Sequence, residues 1–247
     1  MEYHRPTSSR APRLPSVRRR RIALAFALAA LLGALFALPT PAMAQREAGP
    51  PDGWRWVLDG SAKLAVGTMN RGTDSTFDFS QMAPGWHITM GPGAVLFPAD
   101  ARATGRFVVE GEMILFPGGT DNEYGIFVGG EGLDGDAAVA RWTAFVVRGD
   151  GQAAVLERRD GAVHVLSAWT AQEKVVKRAR GATAKNFVTV RAELDSVRFH
   201  VNGERIGAWP RSALRVDGAF GIRIGQGVNI HITNLDLTRR LAPVPER

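Results

Sequence analysis

Residues 186–203, Asn186-Phe187-Val188-Thr189-Val190-Arg191-Ala192-Glu193-Leu194-Asp195-Ser196-Val197-Arg198-Phe199-His200-Val201-Asn202-Gly203, decide the fold class. Val188, Val190, Ala192 and Leu194 occupy every second position, with Thr189, Arg191 and Glu193 between them. Val197, Phe199 and Val201 repeat the alternation against Arg198, His200 and Asn202. A period of two is that of a strand with one packed face and one wet face. Asn202-Gly203 then supplies the positive φ angles of a tight two-residue turn. The same signal recurs at Gly149-Asp150-Gly151 and Asp160-Gly161, each between β-prone runs, so the strands are expected to pair in sequence as antiparallel meanders.

Outward from this hairpin, apolar runs of strand length recur with glycine-rich punctuation, and almost none carries a helical period. They predict strands over 54–58, 86–89, 94–97, 105–116, 124–128, 142–148, 153–158, 162–169, 186–194, 196–201, 219–224 and 228–237. So many short strands fit two stacked sheets better than one open sheet, and the expected fold is an all-β, two-sheet antiparallel β-sandwich. The one stretch of helix-forming composition, 171–180, holds Lys174, Lys177, Arg178 and Arg180 and reads as a solvated loop or short helix. No repeat of 20 to 50 residues is evident, which argues against propellers and solenoids.

The charge is unevenly placed. The 247-residue chain has a formal net charge of +7, but 1–44 hold seven of its 31 basic and one of its 24 acidic residues. Residues 45–247 therefore carry 24 basic against 23 acidic groups, which removes the argument for a general nucleic-acid binder. In 1–44, Arg18 to Arg21 form a basic n-region, 22–38 are an apolar run, and Ala42-Met43-Ala44 is an A-x-A cleavage pattern. The expected organisation is a signal peptide at 1–44, a short linker at 45–53, a sandwich at 54–240 and a tail at 241–247. The expected location is periplasmic or extracellular, with the membrane involved only through an uncleaved leader. The absence of cysteine excludes a disulfide scaffold, a zinc-thiolate site and thiol catalysis.

The blocks "NFVTVRAELDSVRFHVNGERI" (186–206) and "DGAFGIRIGQGVNIHITNLDL" (217–237) resemble the closing strands of concanavalin A-like jelly rolls, the laminin-G, lectin and glucanase superfamily. There a "VNG" hairpin and a G-x-x-G-(I/L)-R segment precede the final strand. Upstream, "FDFSQMAPGWHITMGPGAVLF" (77–97), "GRFVVEGEMILF" (105–116) and "EYGIFVGG" (123–130) resemble early strands of 3-keto-disaccharide hydrolases and related secreted bacterial proteins. The resemblance covers nearly all of 54–237 and implies a sandwich whose concave face binds carbohydrate in many members and does chemistry in a minority. Its motifs are structural, so it speaks to fold more than to activity. That hydrolase family's N-S-G-I-x-x-R segment is altered here, with Tyr124 in place of Ser and Gly129 in place of Arg.

Of the glucanase strand motif E-x-D-x-x-E, only Glu110 and Glu112 remain, with Leu115 at the third acidic position. Alternation puts both glutamates on one face about 6 to 7 Å apart, near the spacing of a glycosidase pair, which makes them the candidate catalytic residues. Opposed to this is a wet strand face beside basic neighbours. Phosphate-loop, dinucleotide, H-E-x-x-H and G-x-S-x-G motifs are absent, and His87, His164, His200 and His231 lack paired ligand spacing. Calcium candidates are Asp121, Asp134 and Asp136 in two acidic turns, although turn chemistry accounts for the same residues without a metal. No other cofactor is expected. Sugar rings stack on aromatic faces while charged groups take their hydroxyls. Glu110, Glu112, Tyr124, Trp142, Arg148 and His231 form the expected ligand-binding set, on a common face if the strands order as in the relatives. The first expectation is a non-catalytic carbohydrate- or glycoconjugate-binding domain. The alternatives are a glycoside hydrolase of the 3-keto-disaccharide type and a cell-envelope structural or protein-binding module.

Overall fold

The computed structural model describes residues 50–60, 65–66, 76–118, 122–134 and 138–239, all within the compact unit Glu47–Arg247. The leader, the tail at 241–247, Asp121 and Asp136 lie outside the described residues. In chain order the strands are β1 (Trp54–Leu58), β2 (Ala65–Val66), β3 (Thr76–Gln81), β4 (Trp86–Met90), β5 (Ala94–Pro98), β6 (Arg102–Ala103), β7 (Phe107–Leu115), β8 (Glu123–Glu131) and β9 (Arg141–Arg148). They continue with β10 (Gln152–Arg159), β11 (Ala162–Ala171), β12 (Ala184–Ala192), β13 (Ser196–Val201), β14 (Glu204–Pro210), β15 (Gly218–Ile224), β16 (Val228–Ile232) and β17 (Asp236–Arg239).

One sheet runs β1-β5-β15-β8-β9-β10-β11 with β6 on β15; the other runs β14-β13-β12-β7-β16-β4-β3-β2 with β17 on β7. Among the described residues only β2 and β3 pair in parallel. The alternating residues do what their spacing requires. Val188, Val190 and Ala192 of β12 join Val109, Met113 and Leu115 of β7 and Ile126, Val128, Phe145 and Val147 of the other sheet in one buried layer. Phe145 meets Phe199 edge to face across that layer, at 5.4 Å between ring centroids, and so ties β9 to β13. The expected hairpins form as well: Asp160 and Gly161 have φ of 53° and 76°, Asn202 and Gly203 of 53° and 85°.

Several expectations are corrected. Leu194 falls beyond the end of β12, in the turn closed by Glu193 N–H donating to Ser196 O, and is 77% exposed. The single strand expected over 228–237 is two. Asn234 turns its side chain onto the ladder and accepts the Glu112 N–H at 2.9 Å, which interrupts the pairing with β7 and separates β16 from β17. Residues 204–210, where no strand was expected, form the edge strand β14, with the Trp209 ring folded over Gly207. Residues 172–183 are a loop, one of the two forms their composition allowed. It is pinned by Asn186 Oδ1, which accepts the Val176 N–H at 2.8 Å, and by Val175, which enters the core.

Candidate functional site

The first sheet carries a second buried cluster on its outer face, away from the sandwich core: Val57, Val95, Phe97, Phe127, Trp142, Ala144, Val146, Ala154 and Leu156 among others. Charged groups converge within it. Arg223, in β15 between the core residues Ile222 and Ile224, is almost wholly buried. It donates from Nη1 and Nη2 to the two carboxylate oxygens of Asp59 at 2.7 and 2.6 Å, and from Nη2 to Glu123 at 2.8 Å. Arg158 of β10, equally buried, donates to the Asp59 carbonyl at 3.1 Å and lies 3.5 Å from its carboxylate. Trp142 closes the group, with the Arg223 guanidinium carbon 5.1 Å from its ring centroid.

These contacts fix the shape of the sheet. Asp59 follows β1 and Arg158 sits in β10, five strand-to-strand steps away in the sheet order, which in a flat sheet is roughly 24 Å. No pair of side chains spans that gap. The sheet therefore curls, and its outer face is concave. Packed sheets follow one another's curvature, so the outer face of the second sheet is convex. Room for the carboxylates comes from two glycines: a Cβ at Gly93 would strike the Asp59 carboxylate, and one at Gly225 the Glu123 carboxylate.

Electrostatically the cluster is uneven. Burial alone would push the Arg223 pKa down, but the charges and hydrogen bonds of Asp59 and Glu123 outweigh it and the net shift is upward. For Arg158, burial and the neighbouring Arg223 prevail over Asp59, and the shift is downward. Both remain charged, as guanidinium does in proteins. The arginines and Trp142 are sealed from solvent, whereas Asp59 and Glu123 keep 27% and 17% of their side chains exposed. Oxygen acceptors are therefore what the cluster presents to a ligand. Beside it, Arg148 at the end of β9 lies flat on Trp169 of β11, its guanidinium carbon 3.5 Å from the ring centroid.

No protein-family model and no curated protein matches the chain. Solved structures do. The carbohydrate-binding module CBM66 from Bacillus subtilis matches with a TM-score of 0.54 at 12% identity, over 75% of this chain and 94% of that one. A Bacillus subtilis protein of unknown function with a galectin-like fold gives 0.51 at 11%, over 74% and 88%. The Bacteroides ovatus mixed linkage glucan GH16, in complex with product, gives 0.51 at 8%, over 77% and 97%. The chain has the concanavalin A-like jelly-roll fold. At these identities the likeness carries the fold and nothing narrower.

Within this jelly roll the six expected ligand residues occupy three places. Trp142 and Arg148 share the concave face, but Trp142 is 1% exposed and lies beneath Arg223 rather than open to a ligand. Tyr124 is fully buried between the sheets, where its hydroxyl accepts a hydrogen bond from Asn186 Nδ2 at 2.9 Å. The β8–β9 register pairs it with Val147, not Arg148, and so turns it inward. Burial pushes its hydroxyl pKa up to about 12. Glu110, Glu112 and His231 are on the convex face, so the common face expected of the six does not form.

Glu112 is engaged throughout. Its N–H goes to Asn234, its carbonyl accepts Thr233 N–H at 2.9 Å, and its carboxylate accepts the Thr233 hydroxyl at 3.0 Å and pairs with Lys185 at 3.0 Å. Its pKa is lowered, chiefly by the Lys185 hydrogen bond, which is opposite to the upward shift a general acid needs. These bonds hold the break between β16 and β17. The His231 ring lies 2.8 Å from the Pro84 carbonyl oxygen. Of the calcium candidates, Asp134 is ion-paired with Arg55, and no group of metal-ligating side chains occurs among the described residues.

Asp59, Glu123, Arg158, Arg223 and Trp169 were not in the expected set. Arg223 carried the clearest signal, a lone charge within an otherwise apolar strand, which requires buried partners.

Proposed function

We propose that the chain is an exported carbohydrate- or glycoconjugate-binding jelly roll that holds its ligand on the concave face without turning it over. The observation that carries this reading is the convergence of side chains from five strands of a curled sheet, with two partly exposed carboxylates beside the Arg148–Trp169 stack. Exposed carboxylate oxygens and a guanidinium stacked on an aromatic ring, set beside a buried apolar cluster, are the chemistry that takes sugar hydroxyls. The leader pattern at 1–44 supports export. For catalysis, the paired glutamates of β7 are on the convex face, and the acid role finds no raised carboxyl at Glu112.

The test is a glycan array probed with the purified chain, with and without calcium, followed by titration of the best ligand. Trp169→Ala, which removes the platform under Arg148, should weaken binding roughly tenfold or more. Glu110→Gln should bind as wild type does. Loss of binding in Glu110→Gln with retention in Trp169→Ala would move the ligand to the other face and end this reading. Retention of no glycan at all would end it too.

A further inference from the structure

Among the described residues Arg148 has no anionic partner on the concave face. It ends β9 directly across from Glu123, yet Glu123 is taken by Arg223 at 2.8 Å. The Arg148 guanidinium instead lies on the Trp169 ring, and its Nε is buried with no hydrogen-bond partner. A ring face fixes the plane of a guanidinium and offsets part of its charge, but it accepts none of its in-plane N–H bonds. What remains is the pair of Nη groups, held against the ring at the end of β9. That is the geometry which takes an oxyanion with two parallel bonds.

The neighbourhood carries the same sign. The stem of Lys177 lies against Gly151 in the turn that follows β9. The nearest acid of that turn, Asp150, is occupied by the Gln152 N–H at 3.0 Å and the Gln152 Nε2 at 2.8 Å. Because residues 45–247 are nearly neutral as a whole, this corner is a local feature and not part of a general polyanion surface.

Resting on the carbohydrate-binding reading above, we infer that the ligand is an acidic glycan, one bearing a carboxylate or sulfate on its ring, whose oxyanion is gripped by the Arg148 fork on Trp169. The Lys177 charge steers it to that corner, and the exposed oxygens of Asp59 and Glu123 take hydroxyls further along the same face.

The experiment compares polygalacturonate, dextran sulfate and the neutral glucan laminarin by titration against the purified chain, at low and high salt. Wild type should bind at least one acidic polymer more tightly than laminarin, and the preferred one tells carboxylate from sulfate. Arg148→Gln should weaken that binding tenfold or more, and by several-fold more than it weakens laminarin. Arg148→Lys keeps the charge but loses the fork, and should fall by several-fold as well. Circular dichroism spectra of both variants should match that of wild type. Laminarin bound with neither acidic polymer bound would overturn this inference and leave the carbohydrate reading standing. Acidic polymers bound equally well by wild type and Arg148→Gln would overturn it too. Failure of all three polymers and of the array would remove both.

Discussion

Replacing Arg223 by Met is the sharpest perturbation the concave face offers. The thioether chain fills most of the volume of the arginine stem and can pack on Trp142, so the cavity term is small. What is lost is the charge. Asp59 loses two hydrogen bonds of 2.7 and 2.6 Å and keeps only Arg158, 3.5 Å away, while Glu123 loses its 2.8 Å partner outright. Two carboxylates drawn together by one guanidinium are then left facing each other in a largely dry site. Breaking a buried ion pair from one side costs about 3 to 5 kcal/mol, a large part of the roughly 5 to 15 kcal/mol by which a domain is stable. For a domain of this size that is a fall in Tm of roughly 6 to 20 °C.

Urea denaturation followed by tryptophan fluorescence reads this as a lower midpoint at unchanged slope. The second variant decides the cause. Adding Glu123→Gln to Arg223→Met removes the stranded charge, so the double variant should recover at least about 1 kcal/mol. If Arg223→Met lies within about 1 kcal/mol of wild type, or if the two substitutions simply add, the cluster does not hold the face together and the argument fails.

Three further outcomes are expected. Tyr124→Phe should cost about 1 to 3 kcal/mol, because Asn186 Nδ2 loses a buried acceptor, yet leave glycan affinity unchanged; weakened binding at unchanged stability would return Tyr124 to the ligand site. Gly203→Val should cost about 1 to 2 kcal/mol through backbone strain alone, since φ is 85° and a Cβ there meets open space; an unchanged melting curve would contradict the turn. For Glu193, burial pushes the pKa up, but Arg191 at 2.6 Å and Arg106 at 2.8 Å outweigh it and the net shift is downward. Its contribution is therefore complete above the unfolded glutamate value of about 4.3 and is lost as pH falls through the lower folded value. Glu193→Gln should accordingly flatten the acid limb of a stability-versus-pH curve below about pH 4, and an unaltered limb would refute the pairing.

The parts of the fold that could be read from sequence were those where local pattern and tertiary role agree. β12 and β13 alternate because one face packs, and Asn202-Gly203 turns because both residues tolerate positive φ. β14 was missed because Glu204-Arg205-Ile206-Gly207 has little strand character of its own. It is a strand because the turn before it delivers it to β13, and as an edge strand it ends on Pro210, where no ladder N–H is needed. The break after Ile232 escaped notice for a related reason. Asn234 reads as an ordinary polar strand residue until the Glu112 N–H opposite it is known.

The candidate site was less legible, because two quantities that place it are not local. One is register: Trp142 and Arg148 share a face by their even spacing within β9, but assigning Tyr124 to that face required knowing how β8 pairs with β9. A shift of one residue reverses the answer. The other is curvature. Arg223 announces that it needs buried acids, but Asp59 and Glu123 lie 164 and 100 residues away in the chain and look like ordinary strand-end residues where they stand. Glu123 is one strand from Arg223, Asp59 two, and Arg158 on the far side adds a third source of charge. Alternation can say that each side chain leaves the sandwich core, and strand order can say which are neighbours. Only the curl of the sheet turns residues spread over five strands into a single cluster. A flat sheet of the same register would leave Arg158 exposed and Asp59 with a single arginine.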